Sequence, residues 1–307
     1  MAFREAHRSA KKIRMAIAGS TGAGKTLGAL RVAYGLCKDW KKVFMIDTDR
    51  MGENYADDSQ WDIGRFMWDT LDAPYSPERY LAKMKEAEEA GAEVIIVDSF
   101  SEEHAGEGGL IEIHSKMKGN SFVNWGPLGK RHNALLQYMV HTADSHIICT
   151  LKSKLSYEIV TNVDDSGRSK SGVQLIGYKP ITKPETEYSF ELFLMLDRDT
   201  RQADIMTMRG SMLPNADPVL LDVSLGERLQ AWADSGDRLP EELINRAQEL
   251  ASQIGPDALA AINDSIQTLT VPGTNEYLSE EKLRDDVIPR LESKIQDSNV
   301  EETSEDE

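Results

Sequence analysis

The chain has 307 residues, 40% of them apolar, which is enough to bury the core of one large domain or two modest ones. It has no apolar run long enough to cross a bilayer, and its basic opening, MAFREAHRSAKKIR, leads directly into a short strand; this reads as a cytoplasmic protein without a secretory signal. The net charge of −17 is unevenly spread: residues 214–307 carry 22 Asp/Glu against 7 Lys/Arg and residues 1–213 carry 30 against 28, so acidity does not exclude a nucleic-acid partner for the front of the chain.

In chain order, the apolar run 13–18 reads as a strand and residues 27–40 as a helix. Between them stands GSTGAGKT, that is Gly19, Ser20, Thr21, Gly22, Ala23, Gly24, Lys25 and Thr26. It fits the phosphate-binding pattern G-x-x-x-x-G-K-[ST] in the strand-loop-helix setting that pattern requires. The glycines let backbone N–H groups turn inward onto phosphate oxygens at the positive end of the following helix. Lys25 is then expected to reach the β- and γ-phosphates of ATP, and the Thr26 hydroxyl to hold Mg²⁺. Cys37 falls in the helix and Cys149 in a later apolar strand, which suits reduced core thiols rather than a disulfide.

Residues 43–47 form the next strand, ending in Asp-Thr-Asp, followed by a polar stretch containing Trp61, Phe66 and Trp68. Ser76-Pro77-Glu78 starts a helix that stops at Gly91. The strand 94–97 ends in Asp98, which makes EVIIVD a Walker-B strand whose carboxylate completes the Mg²⁺ shell. Glu103, five positions on, is placed to polarise water against the γ-phosphate, with Glu102 as its rival. A helix over about 128–142 and a strand over 146–151 follow; strands alternating with helices predict an α/β fold with a mainly parallel sheet.

From 155 to 209 the runs 157–160, 190–196 and 203–208 read as an antiparallel extension of that sheet, with a mobile polar insertion over 164–172. Beyond Pro214 four helices are expected, over 220–233, 240–254, 257–269 and 279–295. Residues 297–307, DSNVEETSEDE, are expected to be disordered. The domain reading is therefore a basic arm (1–12), an ATP-binding core (13–213), a helical region (214–296) and an acidic tail (297–307). The six histidines form no i, i+4 pair or Cys/His cluster, so no metal is expected beyond the Mg²⁺ of the nucleotide.

The segments SPERYLAKMKEAEEAG, EVIIVDSFSEEHAGEGG and HIICTLKSKLSYEI together resemble the phage-encoded RecA-like ATPases built on one AAA-type ATP-binding core, over about residues 13–210. Some relatives in that family are assigned to single-strand DNA annealing and recombination. Of its Asp-Ser-x-Ser-His-Glu-Trp-x-Gly-x-Gly-Gly run, Asp98, Ser99, Ser101, Glu103, Gly106, Gly108 and Gly109 match, while Glu102 and His104 replace His and Trp. The resemblance selects Glu103 over Glu102 as the hydrolytic carboxylate. It also places Lys152-Ser153-Lys154 where the family carries Arg-x-Lys, which makes Lys152 and Lys154 candidate γ-phosphate sensors, in their own subunit or across an interface. Glu187, Tyr188 and Phe190 match a later Glu-Tyr-x-Phe-Asp run, where Glu191 replaces Asp.

The resemblance implies two DNA-facing loops, 105–125 with Lys116 and Lys118, and 155–183 with Arg168, Lys170, Lys179 and Lys183. Phe122, Trp125 and Tyr178 would stack on bases, and Arg4, Arg8, Lys11, Lys12 and Arg14 add a basic arm. The expected partners are single-stranded DNA, further copies of the chain in a ring or filament, and a basic protein or the chain's own basic loops for the acidic tail. Two other readings stand beside an ATPase acting on DNA: a nucleotide-gated protein-binding scaffold with slow hydrolysis, and a small-molecule P-loop kinase.

Overall fold

In the computed structural model, residues 8, 10–163, 169–213, 218–236, 239–274, 276 and 278–304 are described. The chain forms two compact units, Lys12–Ala233 and a smaller one made of Asp234–Glu307 with Met1–Lys11.

The larger unit is an α/β fold around one mixed, mostly parallel nine-stranded sheet. Its strands are β1 (Arg14–Gly19), β2 (Val43–Asp47), β3 (Met67–Thr70), β4 (Val94–Asp98), β5 (His146–Val163), β6 (Ser169–Pro180), β7 (Leu192–Leu196), β8 (Gln202–Met208) and β9 (Val219–Leu220). The helices are α1 (Lys25–Cys37), α2 (Pro77–Glu89), α3 (Ser101–Ala105), α4 (Leu110–Lys116), α5 (Ser121–Gln137) and α6 (Val223–Asp234). Spatial order along the sheet is β3-β2-β4-β5-β1-β7-β8-β9. All neighbours from β3 through β7 run parallel, and the pairs β7/β8 and β8/β9 run antiparallel.

Alternation along each strand divides the core by sheet face. Met15 and Ile17 of β1 and Val94 and Ile96 of β4 pack with Leu30 and Val32 of α1 and Leu225 and Leu229 of α6. Their neighbours Ala16, Ala18, Ile95 and Val97 turn to the other face, against Tyr80 and Met84 of α2 and Leu135 and Leu136 of α5. Because α1 leaves β1 over one face while the segments after β4 cover the other, a crevice opens at the carboxyl ends of the central strands, where parallel α/β sheets hold ligands.

Several expectations are corrected. The run 190–196 is not part of an antiparallel extension: β7 lies beside β1 in parallel, so the antiparallel part begins only at β8. The strand expected over 146–151 continues to Val163, and beyond Lys152 it pairs with β6 alone among the described residues, as a two-stranded ribbon from Ser153↔Pro180 to Val163↔Ser169. Ser169 to Gly172 thus belong to a strand rather than to an insertion, and 164–168 lie outside the described residues. α5 starts at Ser121, earlier than expected, because Asn120 caps it by accepting the N–H groups of Phe122 and Val123. The helix expected over 220–233 belongs to the larger unit, since Leu225, Leu229 and Ala233 fill the α1 face; the core extends past 213.

In the smaller unit α7 (Glu241–Ile254), α8 (Pro256–Thr268), α9 (Glu280–Lys282) and α10 (Ile288–Ser304) enclose a separate core containing Leu250, Ile262, Leu283 and Leu291. α10 runs through residues 297–304, where disorder is expected from composition: no Gly or Pro follows Pro289 to stop it.

Candidate functional site

β1 delivers Gly19 to the carboxyl edge of the sheet between β5 and β7, opposite Lys152 and Leu196. The backbone can turn there because Gly22 and Gly24 take φ of 76° and 101°, left-handed values that favour glycine. The Lys25 ammonium folds back over the loop and donates to the carbonyls of Gly19 and Ser20, each at 3.0 Å. Burial lowers its pKa against the opposing pull of Asp98 and Asp49, with Lys152 adding to the lowering. A desolvated cation held over a glycine-rich turn at a helix start is an arrangement that suits phosphate.

The second half of the site comes from β4. Asp98 is buried at the strand end, and its Oδ2 accepts from the Thr26 hydroxyl at 2.5 Å while Oδ1 accepts from Thr150 of β5. Burial raises its pKa, opposed by the bonds from Thr150 and Thr26. A threonine hydroxyl and a carboxylate in contact across the crevice suit Mg²⁺, which takes one or two protein oxygens and completes its octahedron with phosphate oxygens and water. No group of three or more His, Cys, Asp or Glu able to hold a metal occurs among the described residues.

Three carboxylates follow, and they part company. Glu103 lies on the inner side of α3, fully buried, with Oε1 3.0 Å from Nδ1 of His132 in α5. His132 Nε2 in turn meets the Thr186 hydroxyl at 3.1 Å, and the Glu103 Oε2 atom has no partner among the described residues. One helical step thus sets Glu103, the carboxylate expected to polarise water, in the core against His132. Glu102 points the other way and accepts from the Lys152 ammonium at 2.8 Å. Lys152 also donates to Asp49 at 2.9 Å, a residue just past β2 whose charge bears on Lys25. The bonds from Glu102 and Asp49 outweigh burial and raise the Lys152 pKa.

The remaining candidates are scattered. Lys154 is exposed on the ribbon opposite Lys179. Lys116 closes α4 in an ion pair with Glu112, and Lys118 is exposed just after it. Lys170 lies on β6 opposite Asn162, and Arg168 and Arg4 lie outside the described residues. Arg14 is no DNA contact, because it is buried in β1 and donates to the carbonyls of Val140, Ala143 and Ser145. The Trp125 ring stacks on His114, with centroids 4.2 Å apart, while Phe122 is 88% exposed.

Tertiary folding adds Arg201, which no local pattern marks. β7 ends beside Gly19, and the turn over 197–201 therefore stands next to the phosphate loop. Asp197 organises that turn by accepting the N–H groups of Asp199 and Thr200 and the Thr200 hydroxyl. Arg201 takes φ of 60°, a left-handed value that costs a non-glycine residue about 1 kcal/mol, and its guanidinium donates to the Gly22 carbonyl. No family model and no curated protein sequence matches the chain.

Proposed function

We propose that the chain is a RecA-like P-loop ATPase that binds Mg-ATP, hydrolyses it to ADP and phosphate, and acts on single-stranded DNA as an assembly of several copies in phage recombination or replication. One observation carries the nucleotide reading: the phosphate loop on β1 and the Walker-B carboxylate on β4 meet through Thr26 and Asp98 at 2.5 Å, with Lys25 over the loop. Water beside the γ-phosphate would be oriented by Asp49, which shares Lys152 with Glu102, rather than by the enclosed Glu103.

The DNA half rests on the resemblance, supported by the ribbon, where Lys154 and Lys179 stand opposite one another and Tyr157 and Tyr178 are exposed. Leu155, Tyr157, Val173 and Leu175, exposed on the same ribbon, also favour a second reading, a nucleotide-gated scaffold whose partner is a protein. Hydrolysis measured with and without single-stranded DNA, beside anisotropy on a labelled oligonucleotide, tests both. DNA binding that weakens steeply with salt supports the first reading; ATP binding without any DNA binding at low salt favours the scaffold. A parent protein that binds no ATP overturns both.

A further inference from the structure

We infer that Arg201 forms one wall of the base subsite of the nucleotide pocket, its guanidinium stacking on the purine ring of ATP. The inference rests on the ATP-binding reading above. In a phosphate loop backbone N–H groups face the phosphates, which leaves loop carbonyls for cationic side chains. Lys25 takes the Gly19 and Ser20 carbonyls at the start of the loop, whereas Arg201, arriving from the turn after β7, takes the Gly22 carbonyl at its middle. A methyl group built on Gly24 would lie 3.7 Å from Arg201 Nη1, so the guanidinium spans the rim of the loop between those glycines.

The rim is where the nucleoside leaves the phosphate cradle. A planar cation fixed there offers a broad, weakly hydrated face that suits an aromatic ring and makes no demand on its hydrogen-bonding edge. The turn is braced for the task, since Arg201 N–H donates to the Asp197 carbonyl and Thr200 Oγ1 accepts from Gln202 N–H, while the Arg201 side chain stays exposed. Bracing in advance of the ligand reduces the ordering needed on binding.

The test compares the full-length parent with Arg201→Ala and Arg201→Lys, using Mg-ATP and Mg-tripolyphosphate as probes in direct binding titrations. Lysine can still donate to the Gly22 carbonyl but has no planar face. Both variants should lose about threefold to tenfold in ATP affinity, the range of one stacked cation, and keep parental affinity for tripolyphosphate. Equal losses for the two ligands would assign Arg201 to the phosphates and overturn the inference. So would parental ATP affinity in both variants. A parent that binds tripolyphosphate but not ATP overturns the ATP reading itself, and the inference with it.

Discussion

At the scale of single residues, the proposed function divides the site into groups that would touch phosphate or metal and groups that hold them. Lys25→Ala should abolish productive ATP binding with little change in stability, because the ammonium bonds only loop carbonyls; ATP hydrolysis at the parental rate would refute the loop assignment. The carboxylates should separate by their environments. Asp49→Asn should leave ATP bound but slow its turnover, by the 10²- to 10³-fold order typical of losing one well-placed group. Glu103→Gln keeps a hydrogen-bonding partner for His132 and should preserve turnover; if it alone halts hydrolysis, the buried carboxylate must leave His132 during the cycle.

His146 provides a pH-dependent prediction away from the site. Its Nδ1 accepts the Ile13 N–H at 3.0 Å, and burial, with Lys12 and Arg14 nearby, pushes its pKa down to about 3. The unfolded chain binds the proton near the ordinary pKa of about 6.5, so stability from this group is present above that pH and lost as pH falls towards 3, at up to about 1.4 kcal/mol per pH unit. His146→Asn, which can still accept from Ile13, should flatten the urea-unfolding pH profile between 4 and 6 relative to the parent by about that slope. An unchanged profile would show that the ring is solvated.

At the scale of elements, the crossing of α1 and α6 depends on two glycines. A Cβ on Gly35 would lie 2.3 Å from the Val223 carbonyl, and one on Gly226 would lie 2.3 Å from the Val32 carbonyl. Backbone cannot yield as a side-chain tip does, so Gly226→Ala should cost about 3 kcal/mol in chemical denaturation; a loss within about 0.5 kcal/mol would mean that the helices slide apart freely. The same scale shows what the sequence could disclose. Gly19 to Thr26 and Asp98 were legible because each motif is a contiguous string whose chemistry implies its turn or strand. β6 was not, because its Ser, Lys and Gly residues lack the apolar alternation of a strand and are ordered by pairing with β5. Asp49 and Arg201 reach Lys152 and Gly22 across 103 and 179 positions of chain, which no local spacing encodes. For Glu103 the motif position was clear from sequence, but its burial against His132, 29 positions on, was not.

At the scale of the whole molecule, charge and architecture set the conditions for a polyanionic partner. If the lysines of the ribbon and of the segment after α4 hold single-stranded DNA, log affinity should fall with log salt by about 0.7 per phosphate contact. Removing residues 297–307 takes away six acidic groups and no basic one, so affinity should rise if the tail competes for the same lysines. Unchanged affinity would assign the tail another role.

The course of β5 has a mechanical side. One unbroken strand passes Thr150 on the Asp98 carboxylate, then Lys152 between Asp49 and Glu102, and then leaves the sheet as the stem of the ribbon. Eleven paired positions from Ser153 to Val163 give an arm of about 35 Å at the usual rise of a strand. Such an arm is a pointer pivoted at the candidate site: a tilt of about 5° at its root sweeps the far end by about 3 Å, close to the rise of one strand residue. On the proposed ATPase reading, loss of the γ-phosphate, felt at the root as a sub-ångström change, would thus arrive at the tip enlarged to the size of a step.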